Sequence, residues 1–329
     1  MMEVGKLTNE ELNKHIFKHI NIRRSENLVT SAIGIDTSVM DIGDKLVVSS
    51  TDPITGASKS IGSLAINISC NDIATQGAEP IGVLLSVLIP PKTTLEEIEN
   101  IVKEAEKECK KLNLDIVGGH TEVTDAVNKV IITSTVIGTL DRNTLLSRKE
   151  VEIGDIVAVS KHIAIEGTLI LYEENEEVKN ILTEDEISEI ESYREKLSVL
   201  KEGIEASNFN VKLMHDITEG GIYGALLECA KQIGKNIEID INKIPISKTT
   251  QKICDFYSIN PYKLISSGSM IFIFDPENFQ KFWGKINSVI KIEKVGEIKN
   301  GENLTLIQNG KRVTITEVDK DELYKVTKY

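Results

Sequence analysis

Apolar residues recur at helical spacing in several stretches of this chain. Two of the stretches begin with a capping-box sequence, TNEE at residues 8–11 and TLEE at residues 94–97, in which a threonine and a glutamate satisfy the free N–H groups of the first helical turn. They predict helices at residues 8–20 and 95–112. The same spacing predicts further helices, at residues 60–77, 164–172, 184–206, 221–233, 248–257 and 276–290.

Short runs of β-branched and apolar residues between these helices predict strands. The runs at residues 45–51 and 114–117 are expected to end in the turn sequence Asp52-Pro53 and in GGHTE at residues 118–122. Other predicted strands lie at residues 81–89, 130–140, 155–160, 211–215, 237–241, 270–274, 291–298, 303–308 and 311–316. This arrangement of strands and helices favours two α+β domains, at residues 1–150 and 151–329, with a boundary near residues 142–154.

Composition and charge exclude several classes of protein. The chain has 329 residues and a formal charge of −13, so it lacks the positive field that non-specific nucleic-acid binding needs. Its apolar runs are shorter than the roughly 20 residues that span a bilayer, and residues 1–10 lack the apolar core of a signal peptide. We therefore expect a cytoplasmic protein with no membrane partner. The four cysteines are expected to be buried, reduced thiols: Cys70, Cys109, Cys229 and Cys254.

Acidic residues lie beside glycines, mostly at the ends of predicted strands. Several such carboxylates meeting in space would hold Mg²⁺ together with the phosphates of a nucleotide. Neither a Walker A motif nor G-x-G-x-x-G occurs in the sequence, so a nucleotide site would need another scaffold. The acids in question are Asp36, Asp52, Asp72, Glu122, Asp216 and Glu219.

Each of these positions also has a purely structural interpretation. Asp36 and Asp52 are residues that favour turns, and His120 could be a structural histidine. The sequence HDITEGG at residues 215–221 could simply begin a helix, although such a helix N-terminus also attracts anions. Asp72 is the most informative, because it follows Asn71 within an apolar helical pattern, where a buried polar pair must find partners.

Taken in order, the motifs resemble the aminoimidazole ribonucleotide synthetase (PurM) superfamily. Within it, the chain is most similar to the hydrogenase maturation protein HypE and to HypE-like AIR synthase-related proteins. The resemblance implies a two-domain α+β PurM-like architecture, in which an N-terminal β-sheet domain dimerises and a C-terminal α+β domain follows. The sequences that carry it are GIDTSVM, SSTDPITG, INISCNDIATQGAEP, VGGHTEV, MHDITEGGIYGALLE and LISSGSM.

The resemblance also implies a site for ATP and Mg²⁺ between the domains and across the dimer. The implied metal ligands are Asp36, Asp52 and Asp72. The implied ATP- or phosphate-binding residues are Asn71, Gly118, Gly119, His120, Thr121, Asp216, Thr218, Glu219 and Gly220. His120 and Glu122 are candidate catalytic residues, with no role assigned. The implied partners are a second copy of the chain, a small-molecule substrate and a hydrogenase-maturation protein.

The chain departs from HypE at three places. Glu122 stands where HypE has a lysine, Ser267 stands where it has a glutamate, and the last cysteine, Cys254, lies in a predicted helix and not in a C-terminal tail. Three functions stay open. The first is a HypE-like enzyme that activates an amide or acid oxygen by phosphoryl transfer from ATP. The others are a small-molecule kinase or ligase, such as thiamine-monophosphate kinase or AIR synthetase, and a non-catalytic ATP-binding maturation partner.

Overall fold

A computed structural model describes residues 10, 26–29, 32–35, 37–55, 59–142, 150–318 and 320–326. Within these ranges the strands form two sheets packed against helices, which confirms the predicted two-domain α+β fold. Asp36 and almost all of the predicted helix at residues 8–20 lie outside the described residues. The position of the domain boundary stays a prediction, because residues 143–149 also lie outside them.

The first sheet has the strand order β1-β2-β3-β6-β4-β5 in the described residues. Strand β6 lies at its centre and pairs antiparallel with both β3 and β4, whereas β5 is an edge strand that pairs parallel with β4. In chain order the elements are β1 Asn27–Val29, β2 Ser38–Asp41, β3 Lys45–Ile54, α1 Ile61–Thr75, β4 Glu79–Ile89, α2 Leu95–Leu112, β5 Asp115–Val123 and β6 Ile131–Asp141.

The second sheet has the order β13-β12-β9-β11-β7-β10-β8 in the same description. In chain order its elements are β7 Ile156–Ser160, α3 Ile165–Glu174, α4 Glu176–Lys179, α5 Glu184–Glu191, a 3-10 segment Ser192–Lys196, α6 Leu200–Ser207, β8 Leu213–Asp216, α7 Gly221–Ile233, β9 Asn236–Asp240, α8 Lys248–Tyr257, β10 Met270–Phe274, α9 Pro276–Ile286, β11 Ile292–Lys299, β12 Leu304–Gln308, β13 Lys311–Ile315 and α10 Leu323–Val326.

None of the helices in the described ranges has both the length and the apolar character that crossing a bilayer requires.

Strand β3 continues through Asp52-Pro53, so the predicted turn at this dipeptide is wrong. In the described residues β2 pairs with β3 only from Leu46 to Ser49, which leaves one side of the strand open beyond that point. Proline has no N–H to donate and is tolerated on such an open edge. Pro53 therefore lies opposite Thr133 of β6 without interrupting the pairing.

The prediction that a strand ends before GGHTE is also wrong, because β5 includes the whole of this sequence. A bulge separates Ile116 from Gly118 in the pairing with β4. Gly119 has φ of +150°, and a Cβ there would lie 2.0 Å from the carbonyl oxygen of Leu85. The glycine thus permits close approach of two strands, a role that sequence alone does not separate from ligand binding.

The single helix predicted at residues 184–206 is three shorter pieces, α5, the 3-10 segment and α6. The non-helical backbone just before α6 is held by Asn71, a residue of α1. The side chain of Asn71 donates to the carbonyl oxygen of Leu197 at 2.9 Å and accepts from the N–H of Val199 at 2.8 Å. These long-range hydrogen bonds stabilise a non-helical backbone that the apolar periodicity does not reveal.

Helix α1 lies between the two halves of the molecule. Thirteen of its fifteen residues are buried, and it packs against β3 and β6 on one side and against α6 and β8 on another. One hydrophobic cluster contains Ile73 of α1 together with Leu169 and Tyr193 of the second half. The two domains therefore share a core through this helix.

The close crossing of α1 and α6 predicts the effect of one substitution. A Cβ at Gly203 of α6 would lie 2.6 Å from the carbonyl oxygen of Ala74. We expect Gly203→Ala to lower the free energy of unfolding in urea by about 1–3 kcal/mol, because a packed interface resists added volume. The matched control is Gly284→Ala in α9, where no atom lies within 4 Å of the new Cβ and helix propensity predicts a gain of about 0.5–1 kcal/mol. Equal effects of the two substitutions would contradict this view of the interface.

Candidate functional site

A line of polar side chains runs between α1 and the first sheet. We call it the polar seam, and it consists of Ser50, Asp52, Ser69, Asp72 and Ser134. Ser50 of β3 donates a hydrogen bond to Oδ2 of Asp72. The hydroxyl of Ser134 donates to the carbonyl oxygen of Ala65 at 2.7 Å and lies 2.6 Å from that of Ser69.

Asp52 and Asp72 lie on the facing surfaces of β3 and α1. Alternate residues of a strand share a face, so Asp52 and Ser50 are both on the face of β3 that α1 covers. Asp52 lies opposite Ser134 of β6, and two residues of strand separate it from Ser50 by about 7 Å. Asp72 is 3% exposed and Asp52 is half-buried. Two of the three predicted metal ligands thus lie between β3 and α1, while Asp36 lies outside the described residues.

The polar seam fits Mg²⁺ only with a ligand that supplies further oxygens. The described residues contain no group of three or more histidines, cysteines or acids that could hold a metal ion. Mg²⁺ is nevertheless commonly bound by one or two carboxylates together with substrate phosphates. The donor set of Asp52 and Asp72 is suited to that second arrangement.

Asn71 bridges the two domains through its side-chain amide. It is 0% exposed, and its amide binds the backbone of Leu197 and Val199 through both its oxygen and its nitrogen. Successive residues of a helix point about 100° apart, so Asn71 faces the second domain while its neighbour Asp72 faces the first sheet. The amide of Asn71 therefore links α1 to the second domain in this structure, and a role in binding ATP stays a prediction.

The predicted phosphate-binding sequence 118–121 lies apart from the polar seam within one chain. It belongs to edge strand β5, which three inter-strand spacings, about 14 Å, separate from β3. Nearly all of this strand is exposed, and His120 Nε2 lies 3.4 Å from Glu122 Oε2. The histidine and the glutamate form a surface pair, so one chain alone does not bring them to Asp72.

Asp216 ends strand β8 and is 1% exposed. The strand packs against α1, and Met214 shares a core cluster with Ala74. Alternation along the strand places Asp216 on the same face as Met214. Asp216 therefore faces the side of α1 that carries Ala74, whereas Asp72 lies on the side that faces β3.

The N-terminus of α7 binds a carboxylate of its own chain. The N–H of Gly220 donates to Asp321 Oδ2 at 2.7 Å, and the N–H of Leu323 donates to Oδ1 at 2.8 Å. The predicted affinity of this helix end for an anion is physically sound, but here the N–H of Gly220 is used by Asp321. Thr218 and Glu219, in the preceding loop, are half-buried. Asp321 is 101 residues away in sequence, and no local pattern pointed to it.

All four cysteines are free and buried, as the sequence predicted. Burial raises the pKa of the Cys109 and Cys254 thiols to about 12 and raises the pKa of Cys70 still further. Cys254 lies within α8. Since the thiolate is the nucleophilic form, none of these three side chains is suited to carry a reacting group.

The environment of Asp321 predicts a pH effect on stability. Burial raises its pKa to about 6, above its ordinary value of 3.8, so the folded state holds this proton more tightly than the unfolded chain does. The contribution of Asp321 to stability is therefore greatest below pH 4 and falls as the pH rises towards 6. Between pH 4 and 7 we expect the stability of the native protein to fall relative to Asp321→Asn by on the order of 3 kcal/mol.

Urea unfolding at a series of pH values checks this expectation. Asp44→Asn, at an exposed position, is the control and should give a constant difference from the native protein. Parallel pH profiles for the native protein and Asp321→Asn would show that the carboxyl titrates normally.

Curated relatives match most of the chain. A protein of Methanocaldococcus jannaschii described as a hydrogenase expression/formation protein is 32% identical over 286 residues, which are 84% of this chain and 82% of that protein. Carbamoyl dehydratase HypE of Bradyrhizobium diazoefficiens is 25% identical and covers 75% of this chain and 71% of its own. Thiamine-monophosphate kinase of Bacillus subtilis is 29% identical, with 68% and 66% covered.

Solved structures share the fold. A structure of HypE in complex with ATP has a TM-score of 0.72 at 17% identity and covers 97% of both chains. A structure of a HypE–HypF complex has a TM-score of 0.70 at 22% identity and covers 86% of this chain and 92% of that chain. The models of AIR synthase related proteins match residues 34–140 with the N-terminal domain and residues 152–309 with the C-terminal domain. The chain belongs to the AIR synthase related (PurM-like) family and is close to HypE.

Proposed function

We propose that this protein is an ATP- and Mg²⁺-dependent enzyme that transfers a phosphoryl group to an oxygen of its substrate, in the manner of HypE. The observation that carries the proposal is the polar seam, in which a buried carboxylate, Asp72, lies beside Asp52 at a helix that both domains cover. The relatives support ATP use, since one is a kinase and the structure of another, HypE, was determined in complex with ATP.

In this proposal Asp52 and Asp72 hold the metal, and Ser50 fixes the orientation of Asp72. When bound, Mg²⁺ would neutralise charge on the phosphates and position them, which is most of what phosphoryl transfer requires. The polar seam supplies oxygen ligands in fixed positions. These oxygens are held by the first sheet and by α1, so they need little reorganisation when a nucleotide binds.

The acceptor is then a small molecule or a group on another protein. The buried thiols favour this choice, because the burial of Cys254 and its raised pKa leave it unsuited to carry a carbamoyl group.

A small-molecule kinase or ligase is the second candidate function, supported by the similarity to thiamine-monophosphate kinase. A non-catalytic ATP-binding partner in hydrogenase maturation is the third, and the HypE–HypF complex makes a protein partner of that kind a reasonable one to test.

We also propose that the first sheet dimerises. Its face away from α1 carries a row of half-exposed residues of β6, Ile131, Thr133, Thr135 and Ile137, and Leu84 beside them is 38% exposed. Strand β5 adds an edge whose N–H and C=O groups on its outer side can pair with a second chain. A second copy of the chain would cover both features.

Dimerisation would also explain the exposed position of sequence 118–121. Within one chain it lies about 14 Å across the sheet from β3. Contributed by a second copy, its glycines, His120 and Thr121 could approach the nucleotide at the polar seam. The predicted site across a dimer stays a proposal on these grounds.

Replacing Asp72 tests the metal and nucleotide site. Asp72→Asn keeps an oxygen that can accept the hydrogen bond from Ser50, so the fold should persist. We expect affinity for ATP in the presence of Mg²⁺ to fall roughly tenfold or more, because a ligating carboxylate is lost. Titration calorimetry measures the affinity, and the exposed Asp44→Asn is the control. Unchanged ATP affinity in Asp72→Asn would remove the basis of the proposed function.

Replacing Thr133 tests dimerisation. Thr133→Arg adds charge and bulk at the centre of the half-exposed face, and we expect the dimer dissociation constant to rise roughly tenfold or more, since an unpaired buried charge is costly. Sedimentation equilibrium measures it. Thr314→Arg, at an exposed position of β13 in the second sheet, is the control and should behave as the native protein. A monomeric native protein, or an undisturbed dimer in Thr133→Arg, would rule out this interface.

A further inference from the structure

A cavity of about 670 Å³ lies between the two domains at the N-terminal end of α1. Both domains line it, since Ile61 and Glu104 come from the first half and Glu173 and Arg194 from the second. Its size is in the range of small-molecule binding sites. Neither the motifs discussed above nor the polar seam includes these charged residues.

One wall of the cavity is a fixed ionic cluster. Glu173 has a side chain only 6% exposed and is ion-paired with Arg194 Nη1. The same nitrogen donates to the hydroxyl of Ser60 at 2.5 Å, and Lys59 Nζ donates to the carbonyl oxygen of Glu173 at 2.6 Å. The Arg194 side chain remains 40% exposed. Since a guanidinium has five N–H donors, it can still bind a carboxylate while it is held by Glu173.

The cavity is also lined by a carboxylate with one buried oxygen that accepts no hydrogen bond. Glu104 of α2 lines the cavity, and its Oε2 is buried and makes no hydrogen bond among the described residues. Burial raises the pKa of Glu104, while a hydrogen bond from the backbone N–H of Gly62 and the charge of Arg194 act in the opposite direction. A buried carboxylate oxygen without a donor is unfavourable, and a rotation of the side chain towards the cavity would let the N–H group of a ligand satisfy it.

We propose that this cavity binds a small zwitterion of the amino-acid class, with its ammonium group at Glu104 and its carboxylate at Arg194. Glu104 and Arg194 present a carboxylate and a guanidinium to the cavity, which match the two charged ends of such a molecule. An anion alone would leave Glu104 unsatisfied, and a cation alone would leave the accessible face of Arg194 unused.

The cavity lies apart from the proposed metal ligands. Ile61 borders it at the start of α1, and Asp72 follows eleven residues later, which corresponds to about 16 Å along the helix. A small ligand in the cavity would therefore not contact Asp52 or Asp72. The assignment stands independently of the phosphoryl-transfer proposal, because it uses none of the residues of the polar seam.

Titration calorimetry on the full chain at pH 7.5 tests the proposal. The probes are glycine, L-glutamine and L-arginine as zwitterions, propionate as an anion and propylamine as a cation. We expect at least one zwitterion to bind with a dissociation constant below about 1 mM and at least roughly tenfold more tightly than propionate or propylamine. Glu104→Gln, which keeps an acceptor oxygen for the neighbouring backbone, should weaken that binding roughly tenfold, since it removes the charge that an ammonium group recognises.

Two variants make the result specific. Glu106→Gln, on an exposed face of the same helix α2, should bind the zwitterion as the native protein does, whereas Arg194→Lys should weaken it. ATP affinity should be unchanged in Glu104→Gln, and zwitterion affinity should be unchanged in Asp72→Asn. The two proposals can therefore be confirmed or contradicted independently of each other. The proposal is overturned if no zwitterion binds, if propionate or propylamine binds equally well, or if Glu104→Gln has no effect.

Discussion

The burial of polar side chains on both faces of α1 is the constraint on which this structure depends. A helix enclosed by two domains has no access to water along most of its length, so each polar group on it must find a protein partner. Asp72 finds Ser50 in the first sheet, and Asn71 finds the backbone of the second domain at Leu197 and Val199. The same two neighbouring residues thus fix the domains relative to each other and place a carboxylate at their junction.

This constraint explains why the sequence predicts the helices and strands but not the partners of their buried polar groups. The spacing of apolar residues reflects burial directly, and helices such as Gly221–Ile233 and Lys248–Tyr257 have the bounds that the pattern indicated. The chemical roles depend on partners that are distant in sequence. Nothing near Asn71 indicates that it binds Leu197, and nothing near Gly220 indicates that Asp321 binds it.

The two wrong strand ends have related causes. Asp52-Pro53 and the glycines at 118 and 119 are residues that commonly end strands, yet both sequences continue within a sheet. Each does so where one side of its strand has no neighbour among the described residues, since β2 stops short of Pro53 and β5 lies at the edge. Local sequence preferences give no information about which strands have neighbours, so only the tertiary arrangement resolves such positions.

The central position of β6 in the first sheet has a consequence for how the chain folds during its synthesis. Strands β3 and β4 are not adjacent, and each pairs with a strand that ends at Asp141. While the ribosome has made only residues up to β5, these two strands lack their common neighbour and expose their backbone edges. The first domain can therefore close only after β6 has emerged, which makes its folding dependent on contacts of large sequence separation and comparatively slow.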